Sequence, residues 1–290
     1  MLFPLAAGNT VVLKAPESSP LCSTHLVQLL HDAGLPAGVL NLVAHRVEDA
    51  ASITKYLIES PVIKKINFTG STGVGRIIAE LAGRNLKPVL LELGGKAPAI
   101  VCDDADLELA AKECAVGAFL HAGQICMSTE RIIVFEKVLG EFETAFKKAV
   151  AEFAPEGGDK PVLINAVGVQ KNKKLLDDAV GKGARILHGD PKNGKDAMMM
   201  PVVVVGMKKE MDLYYTESFG PTVSVMPVNS EEEALELAND TEYGLSSAVF
   251  TKDLGRALRI AKGIESGAVH VNGMTVHDET ALPHGGKSWS

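Results

Sequence analysis

The chain has 290 residues, of which 46% are apolar, and its formal net charge is −7. This length suits one large domain or two medium ones, and the apolar content excludes wholesale disorder. The mildly acidic balance argues against nucleic acid or a membrane surface as a partner. Residues 1–8 carry no Lys or Arg, which argues against a signal peptide, and no stretch reaches transmembrane length without charges. We therefore expect a cytoplasmic protein.

The four cysteines are Cys22, Cys102, Cys114 and Cys126. No C-x-x-C pair occurs and no cysteine–histidine cluster has the spacing of a zinc site, so we expect neither a metal nor a disulfide framework. The first three cysteines are predicted to be buried thiols that pack like small apolar side chains.

Strands and helices alternate over the first 93 residues. Ser19 followed by Pro20 predicts a helix start, and Gly34 with Pro36 predicts its end. The alternation is typical of a parallel sheet covered by helices, so we predict an α/β fold. The predicted strands cover 10–13, 39–43, 65–68 and 89–93, and the further helices cover 48–59 and 76–84.

The alternation continues with longer helices after Lys96. Asp106 and Ser230 are predicted N-caps, and the two adjacent glycines Gly94-Gly95 predict a domain boundary that divides the chain into 1–93 and 94–290. The remaining predicted helices are 107–120, 139–153, 169–180, 254–262 and one from Glu231; the strands are 100–101, 131–135, 184–187, 201–205, 222–228, 246–250 and 268–272; and 155–159 is a turn.

Two segments have the character of a nucleotide site. The glycine-rich stretch 68–75 follows a strand and opens a helix, where backbone N–H groups can face a phosphate; the alternative is a turn without a ligand. Lys14 and Glu17 follow the first strand, and such strand ends can bind ribose hydroxyls; the alternative is a surface turn. A carboxylate there repels a 2′-phosphate and favours NAD over NADP.

Glu92 and Cys126 are the candidate catalytic pair. A thiol can attack a carbonyl carbon, and a carboxylate can activate the water that releases the product. Glu92 is either a partly buried base or a strand-end residue in water. Cys126 lies in a small, polar stretch, where a structural cysteine is less expected. His121 allows a Cys–His dyad, although a helix-end histidine is the default interpretation.

Five motifs occur in order over nearly the whole chain: Gly8-Asn9-Thr10-Val11-Val12-Leu13-Lys14, Phe68-Thr69-Gly70-Ser71-Thr72, Glu92-Leu93-Gly94-Gly95-Lys96, Gly123-Gln124-Ile125-Cys126 and Glu217-Ser218-Phe219-Gly220-Pro221. Together they resemble the aldehyde dehydrogenase superfamily. The resemblance implies a partial Rossmann-type cofactor domain over 1–93 and an α/β catalytic domain over 94–290. Residues 76–80, 86–90 and 126–131 are similar to the salicylaldehyde and vanillin dehydrogenase branch, which implies a small aromatic aldehyde as substrate.

By this resemblance, Cys126 is the nucleophile and Glu92 the general base of an NAD-dependent enzyme that forms a cysteine thioester. Supply of the thiolate then requires a lowered thiol pKa. The residues implied for NAD are Lys14 and Glu17 at the adenosine ribose, Gly70 and Ser71 at the pyrophosphate, Glu217 at the nicotinamide ribose and Phe219 at the nicotinamide.

The sequence departs from the family pattern at both ends. A Pro-Trp-Asn segment that supplies an oxyanion donor, the first half of the cofactor domain and an oligomerisation arm do not precede Lys14 here, and the serine- and glycine-rich continuation does not follow Lys287. We expect a truncated chain with an exposed sheet edge, in which the family's homo-oligomer is doubtful. Two alternatives are an impaired fragment or relic that binds nucleotide weakly, and an interaction module that pairs with a full-length relative.

Overall fold

A computed structural model describes residues 2–153, 158 and 160–290. The chain divides into two compact units: Met1–Asn67 with Ile77–Val89, and Phe68–Arg76 with Leu90–Ser290. The predicted functional division at Gly94 remains a prediction. Among the described residues, no helix has the length and apolar character needed to cross a bilayer.

The N-terminal third contains short strands between helices. Strands β1 and β2 pair in parallel, and β3 and β4 form a second two-stranded sheet. The alternation of strands and helices is as predicted, but the four strands form two sheets rather than one. The elements are α1 (Leu2–Ala6), β1 (Val11–Lys14), α2 (Pro20–Asp32), β2 (Leu40–Val43), α3 (Ala50–Glu59), β3 (Ile66–Thr69), α4 (Thr72–Arg84) and β4 (Val89–Glu92).

The rest of the chain builds a seven-stranded sheet in the order β11-β10-β5-β6-β9-β8-β7. Its neighbouring strands are parallel, except that β7 is antiparallel to β8. The elements are β5 (Ala97–Val101), α5 (Leu107–Phe119), β6 (Thr129–Phe135), α6 (Leu139–Phe153), α7 (Ala166–Gly181), β7 (Arg185–His188), β8 (Val202–Val205), α8 (Asp212–Tyr215), β9 (Thr222–Val228), α9 (Glu231–Asn239), β10 (Ser246–Phe250), α10 (Leu254–Gly263) and β11 (Ala268–Val271).

Side chains of the central strands alternate between the two faces of this sheet. In β6, Ile132 and Val134 pack with Phe142 and Phe146 of α6 on one face. Ile133 and Phe135 pack on the other face with alanines of α9 and α10. Because both faces are covered, the central strands are buried and largely apolar, as expected for a parallel sheet between helices, and polar residues lie near the starts of β6, β9 and β10.

Most caps follow the sequence prediction. Asp106 accepts a hydrogen bond from Leu109 N, and Ser230 accepts one from Glu233 N. Pro20 is the first residue of α2, but Ser19 makes no side-chain cap bond. Helix α4 begins at Thr72 and not at Arg76, so Gly73 and Gly75 lie inside the helix. Of the predicted turn at 155–159, only residue 158 is among the described residues.

The prediction of three buried thiols is correct for two of them. Cys102 and Cys114 are buried, and burial raises the pKa of the Cys102 thiol to about 12. Cys22 is exposed, and its prediction was wrong because it lies on the outer face of α2, where Val27 is the only buried residue. All four cysteines are free thiols.

Candidate active site

Cys126 lies in a turn that leads into β6 and is half-buried. The preceding residues His121, Ala122 and Gly123 all have left-handed backbone angles, with φ of 52°, 57° and 70°. A Cβ atom on Gly123 would lie 2.2 Å from the Gly220 carbonyl oxygen, so only glycine fits there. This tight turn reverses the chain after α5 and presents Cys126. His121 is exposed.

Gly94 and Gly95 bring the end of the Glu92 strand against the Cys126 turn. A Cβ on Gly95 would lie 2.0 Å from the Cys126 carbonyl oxygen, and one on Gly94 would lie 2.8 Å from Glu217 Oε2. The Gly95 N–H donates to Glu217 Oε1 at 2.9 Å. The glycines therefore allow a backbone approach that places the thiol loop and the Glu217 carboxylate at the same glycine pair.

The Cys126 thiol has a raised pKa. Burial is the largest cause, and the negative charge of Glu217 is the next. Glu92 also raises the pKa, whereas the backbone amides of Cys126 and Met127 lower it. The lowered pKa on which supply of the thiolate depends is therefore opposed here, first by burial of the sulfur and then by the charges of two carboxylates. The same effects show that both Glu92 and Glu217 lie within electrostatic reach of the thiol.

Glu92 is the last residue of β4, and its side chain is 22% exposed. Its Oε2 atom is buried and has no hydrogen-bond partner among the described residues. His284 lies beside this candidate base: its Nε2 is 3.5 Å from Glu92 Oε2, and its Nδ1 is 3.6 Å from Asp278 Oδ1.

The loop that carries Glu217 and Phe219 is held by buried polar groups that sequence reasoning missed. Glu130 accepts hydrogen bonds from Ser218 N at 2.7 Å and from Phe219 N at 3.2 Å, and it pairs with Lys96. The available signal was a charged residue at the start of each of two strands: Lys96 directly before Ala97–Val101, and Glu130 two residues before the Ile132-Ile133-Val134 run.

Asn172 of α7 holds the same loop from the other side. It is fully buried and donates to Ser218 O at 3.2 Å, while its Oδ1 accepts from the Thr222 hydroxyl at 2.8 Å. A Cβ on Gly220 would lie 2.2 Å from its amide nitrogen. Phe219 is 39% exposed with φ of 48°, so its ring faces outward from a strained position.

Lys14 and Glu17, in the first unit, form a cluster of their own with His45. Lys14 Nζ donates to Glu17 Oε1 at 2.9 Å and lies 2.8 Å from His45 Nε2. The hydrogen bond from Lys14 lowers the pKa of Glu17. Gly70 and Ser71 directly precede α4 in the second unit, and Ser71 is exposed. Within residues 2–153, 158 and 160–290, no group of three metal-ligating side chains occurs.

Comparison with known proteins assigns the family. The model of the aldehyde dehydrogenase family matches residues 1–290. The chain belongs to the aldehyde dehydrogenase family. The vanillin dehydrogenase of Pseudomonas fluorescens is 49% identical over 289 residues, which are 98% of this chain and 60% of that protein.

Solved structures of this family share the fold of the chain. The salicylaldehyde dehydrogenase of Pseudomonas putida G7, complexed with salicylaldehyde, superposes with a TM-score of 0.95 at 42% identity and covers 99% of this chain. The NADP-dependent glyceraldehyde-3-phosphate dehydrogenase of Bacillus halodurans C-125, complexed with NADP, gives 0.91 at 35% identity and also covers 99%. The chain spans 60% of each of these structures.

The family, the fold class and the similarity to the vanillin and salicylaldehyde branch are confirmed by these matches. In this aldehyde dehydrogenase chain, three of the five sequence motifs meet at one place: the Glu92–Lys96 motif, the Gly123–Cys126 motif and the Glu217–Pro221 motif contact one another.

Proposed function

We propose that the chain carries the chemistry of an aldehyde oxidation in which Cys126 is the nucleophile and Glu92 the general base. The observation that supports this most directly is the buried, unpartnered Oε2 atom of Glu92 within electrostatic reach of the half-buried Cys126 thiol. A buried carboxylate oxygen without a hydrogen-bond partner is energetically unfavourable and calls for an explanation. We infer that its partner during the reaction is the water that attacks the acyl-cysteine.

In the first half-reaction, the Cys126 thiolate adds to the aldehyde carbon and gives a thiohemiacetal. The backbone amides of Cys126 and Met127 favour negative charge on the sulfur, while burial and the two carboxylates oppose it. Bound NAD supplies the hydride acceptor. As hydride leaves the thiohemiacetal carbon, the proton of its hydroxyl group is released to water, and a thioester remains on Cys126.

In the second half-reaction, Glu92 takes a proton from water as the water oxygen bonds to the thioester carbon. The carbon–sulfur bond then breaks, the carboxylic acid leaves and Cys126 is restored. Glu92 suits this role because its free oxygen is held near the sulfur but has no hydrogen bond that must be broken first.

The residues present fit a dinucleotide with an unmodified adenosine ribose. Glu17 offers a carboxylate beside Lys14 at the carboxyl end of a parallel strand, a position that suits ribose hydroxyls and opposes a 2′-phosphate. Gly70 and Ser71 precede the thirteen-residue helix α4, whose N–H groups suit phosphate. Glu217 and Phe219 are proposed for the nicotinamide end. We therefore propose NAD rather than NADP.

We propose a small aromatic aldehyde as the substrate, since relatives of this chain are named for vanillin and salicylaldehyde. We also propose that the protein is located in the cytoplasm. We do not expect it to bind nucleic acid or a membrane.

The test is an absorbance assay for NADH with vanillin, salicylaldehyde and an aliphatic aldehyde of similar size. Cys126→Ala is expected to abolish turnover. Glu92→Gln is expected to lower steady-state turnover by about 10²–10⁴-fold but to retain a stoichiometric burst of NADH, because only the hydrolytic step needs the base. Binding of NAD without turnover in the unaltered chain supports the impaired fragment instead, and folding only beside a full-length relative supports the interaction module.

A further inference from the structure

His45 occupies a position in the first unit that no sequence motif indicates. Strands β1 and β2 run in parallel and end side by side, with Lys14 opposite Val43. Their following segments therefore meet, and His45 comes to lie against Lys14 and Glu17. Its side chain is 1% exposed, although it is a polar group at the end of a small sheet.

The contacts of His45 assign a role to each ring nitrogen. Nδ1 lies 2.8 Å from the Arg46 carbonyl oxygen, which can only accept, so Nδ1 is the donor in this contact. Nε2 lies 2.8 Å from Lys14 Nζ, which can only donate, so Nε2 is the acceptor. His45 Nε2 and Glu17 Oε1 lie 3.2 Å apart because both contact the same Lys14 ammonium group.

In this arrangement the Lys14 ammonium group is surrounded by acceptors within the protein. Its three possible acceptors are Glu17 Oε1 at 2.9 Å, His45 Nε2 at 2.8 Å and the Ala15 carbonyl oxygen at a longer 3.5 Å. Glu17 accepts this hydrogen bond through Oε1, and its side chain is 27% exposed. A partly exposed carboxylate beside a lysine with other acceptors is suited to accept hydrogen bonds from a ribose diol, whereas it repels a phosphate dianion.

We propose that His45 is a positioning residue for dinucleotide choice: by accepting from Lys14 it keeps the lysine from a 2′-phosphate and keeps Glu17 directed at the 2′-hydroxyl. The inference rests on the proposed use of Lys14 and Glu17 as the ribose site. It adds a residue to that site and explains how a lysine can be present without attracting NADP.

The structure also predicts what happens without the imidazole. In His45→Met, Lys14 loses a buried acceptor, its ammonium group becomes free to turn, and Glu17 is held by the lysine alone. The cation can then follow a 2′-phosphate, so discrimination falls. His45→Gln is the matched variant, because its amide oxygen can accept from Lys14 where Nε2 does. His25→Met, on the exposed face of α2, is the control.

The experiment is calorimetric titration of each protein with NAD, NADP, AMP and 2′-phospho-AMP, which needs no turnover. His45→Met is expected to bind NAD about three- to tenfold more weakly and to narrow the NAD-to-NADP affinity ratio by about tenfold. His45→Gln should restore most of that ratio, and His25→Met should leave it unchanged. Circular dichroism melts confirm that each variant is folded.

Three results overturn the inference, and they differ in whether the proposed cofactor site fails as well. If the unaltered chain prefers NAD and folded His45→Met keeps the same ratio, His45 does not position the site, while the proposed cofactor stands. If the unaltered chain binds neither dinucleotide, both the inference and the proposed role of Lys14 and Glu17 fail. A His45→Met variant that loses affinity for all four ligands equally also contradicts a role in choice.

Discussion

Lys96 and Glu130 form a buried ion pair that also fixes the backbone beside Glu217. Lys96 Nζ donates to Glu130 and to the Thr216 carbonyl oxygen at 2.8 Å, and Glu130 in turn accepts from Ser218 N. Burial lowers the pKa of Lys96, which the charge of Glu130 opposes. The pair therefore joins the starts of β5 and β6 to the loop that carries two proposed cofactor residues.

Replacement of this lysine is predicted to be strongly destabilising. Lys96→Met leaves the Glu130 charge buried without a partner, so we expect a loss of about 3–5 kcal/mol in the free energy of unfolding. Urea denaturation at neutral pH measures it. The control is Lys137→Met, which removes an exposed pair with Asp103 at 3.2 Å and should cost less than about 1 kcal/mol. Equal costs for the two variants would contradict the structural role of Lys96.

Asn172 is predicted to order the same loop through hydrogen bonds. Asn172→Ala removes a buried donor to Ser218 O and a buried acceptor for the Thr222 hydroxyl, so we expect destabilisation by about 1–3 kcal/mol. Urea denaturation again measures it, and proteolysis within 216–222 should become faster. Asn41→Ala is the control, since Asn41 is exposed and bonds only to Gly38 O. An unchanged proteolysis rate would show that Asn172 does not hold the loop.

Local patterns were sufficient for most elements of the fold. The ends of α6 and β9 agree with the predicted 139–153 and 222–228, because apolar spacing and flanking turn residues are local properties. Helix α4 begins earlier than predicted because Thr72 to Gly75 adopt helical geometry despite their glycines; a Cβ on Gly75 would lie 2.5 Å from Leu93. Gly75 thus lies against Leu93, and the low helix propensity of glycine misplaces the start of the helix in a prediction from sequence.

Long-range relationships were beyond sequence reasoning. The antiparallel β7, the division of four strands into two sheets and the Lys96–Glu130 pair all depend on contacts between distant segments. The raised pKa of Cys126 is of the same kind, since it follows from burial and from carboxylates on two other segments. The candidate residues could be chosen from the sequence. The direction of their pKa shifts could be found only from the fold, which decides the burial and the neighbouring charges of each group.

Gly95 is predicted to tolerate no side chain. In Gly95→Ala, the new Cβ would lie 2.0 Å from the Cys126 carbonyl oxygen, so the Cys126 turn must move. We expect loss of aldehyde turnover and altered alkylation of Cys126, followed by mass spectrometry. Gly140→Ala is the matched control: Gly140 lies in α6 with open space around its Cβ position, and we expect stabilisation by about 0.5–1 kcal/mol. An active Gly95→Ala enzyme would contradict the close approach.

Acid is predicted to weaken the network around Arg256. The hydrogen bond from Arg256 is the largest cause that lowers the pKa of Asp103 below its ordinary 3.8. A carboxyl group with a depressed pKa contributes stability that is complete above 3.8 and is lost as the pH falls through its folded-state value. Urea midpoints should therefore fall below about pH 4. Arg256→Met should lower the urea midpoint at neutral pH and make its fall in acid less steep. An equally steep fall in the variant would mean that other groups titrate in this range.

Glu217 is predicted to restrain the reactivity of the Cys126 thiol in the ligand-free protein. Its negative charge is the second cause, after burial, of the raised thiol pKa. Glu217→Gln removes that charge but keeps an oxygen for the Gly95 N–H, so the pKa should fall and the thiolate fraction at a given pH should rise. The measurement is the rate of iodoacetamide alkylation of Cys126 against pH, in a Cys22→Ser background that removes the exposed thiol.

The rate profile should move to lower pH in Glu217→Gln, and the surface variant Glu136→Gln should leave it in place. Because burial is the largest cause of the raised pKa and remains in the variant, the rate profile of Glu217→Gln should move only part of the way towards that of an exposed cysteine. A profile that does not move, or that moves to higher pH, would mean that Glu217 does not act on the sulfur through its charge.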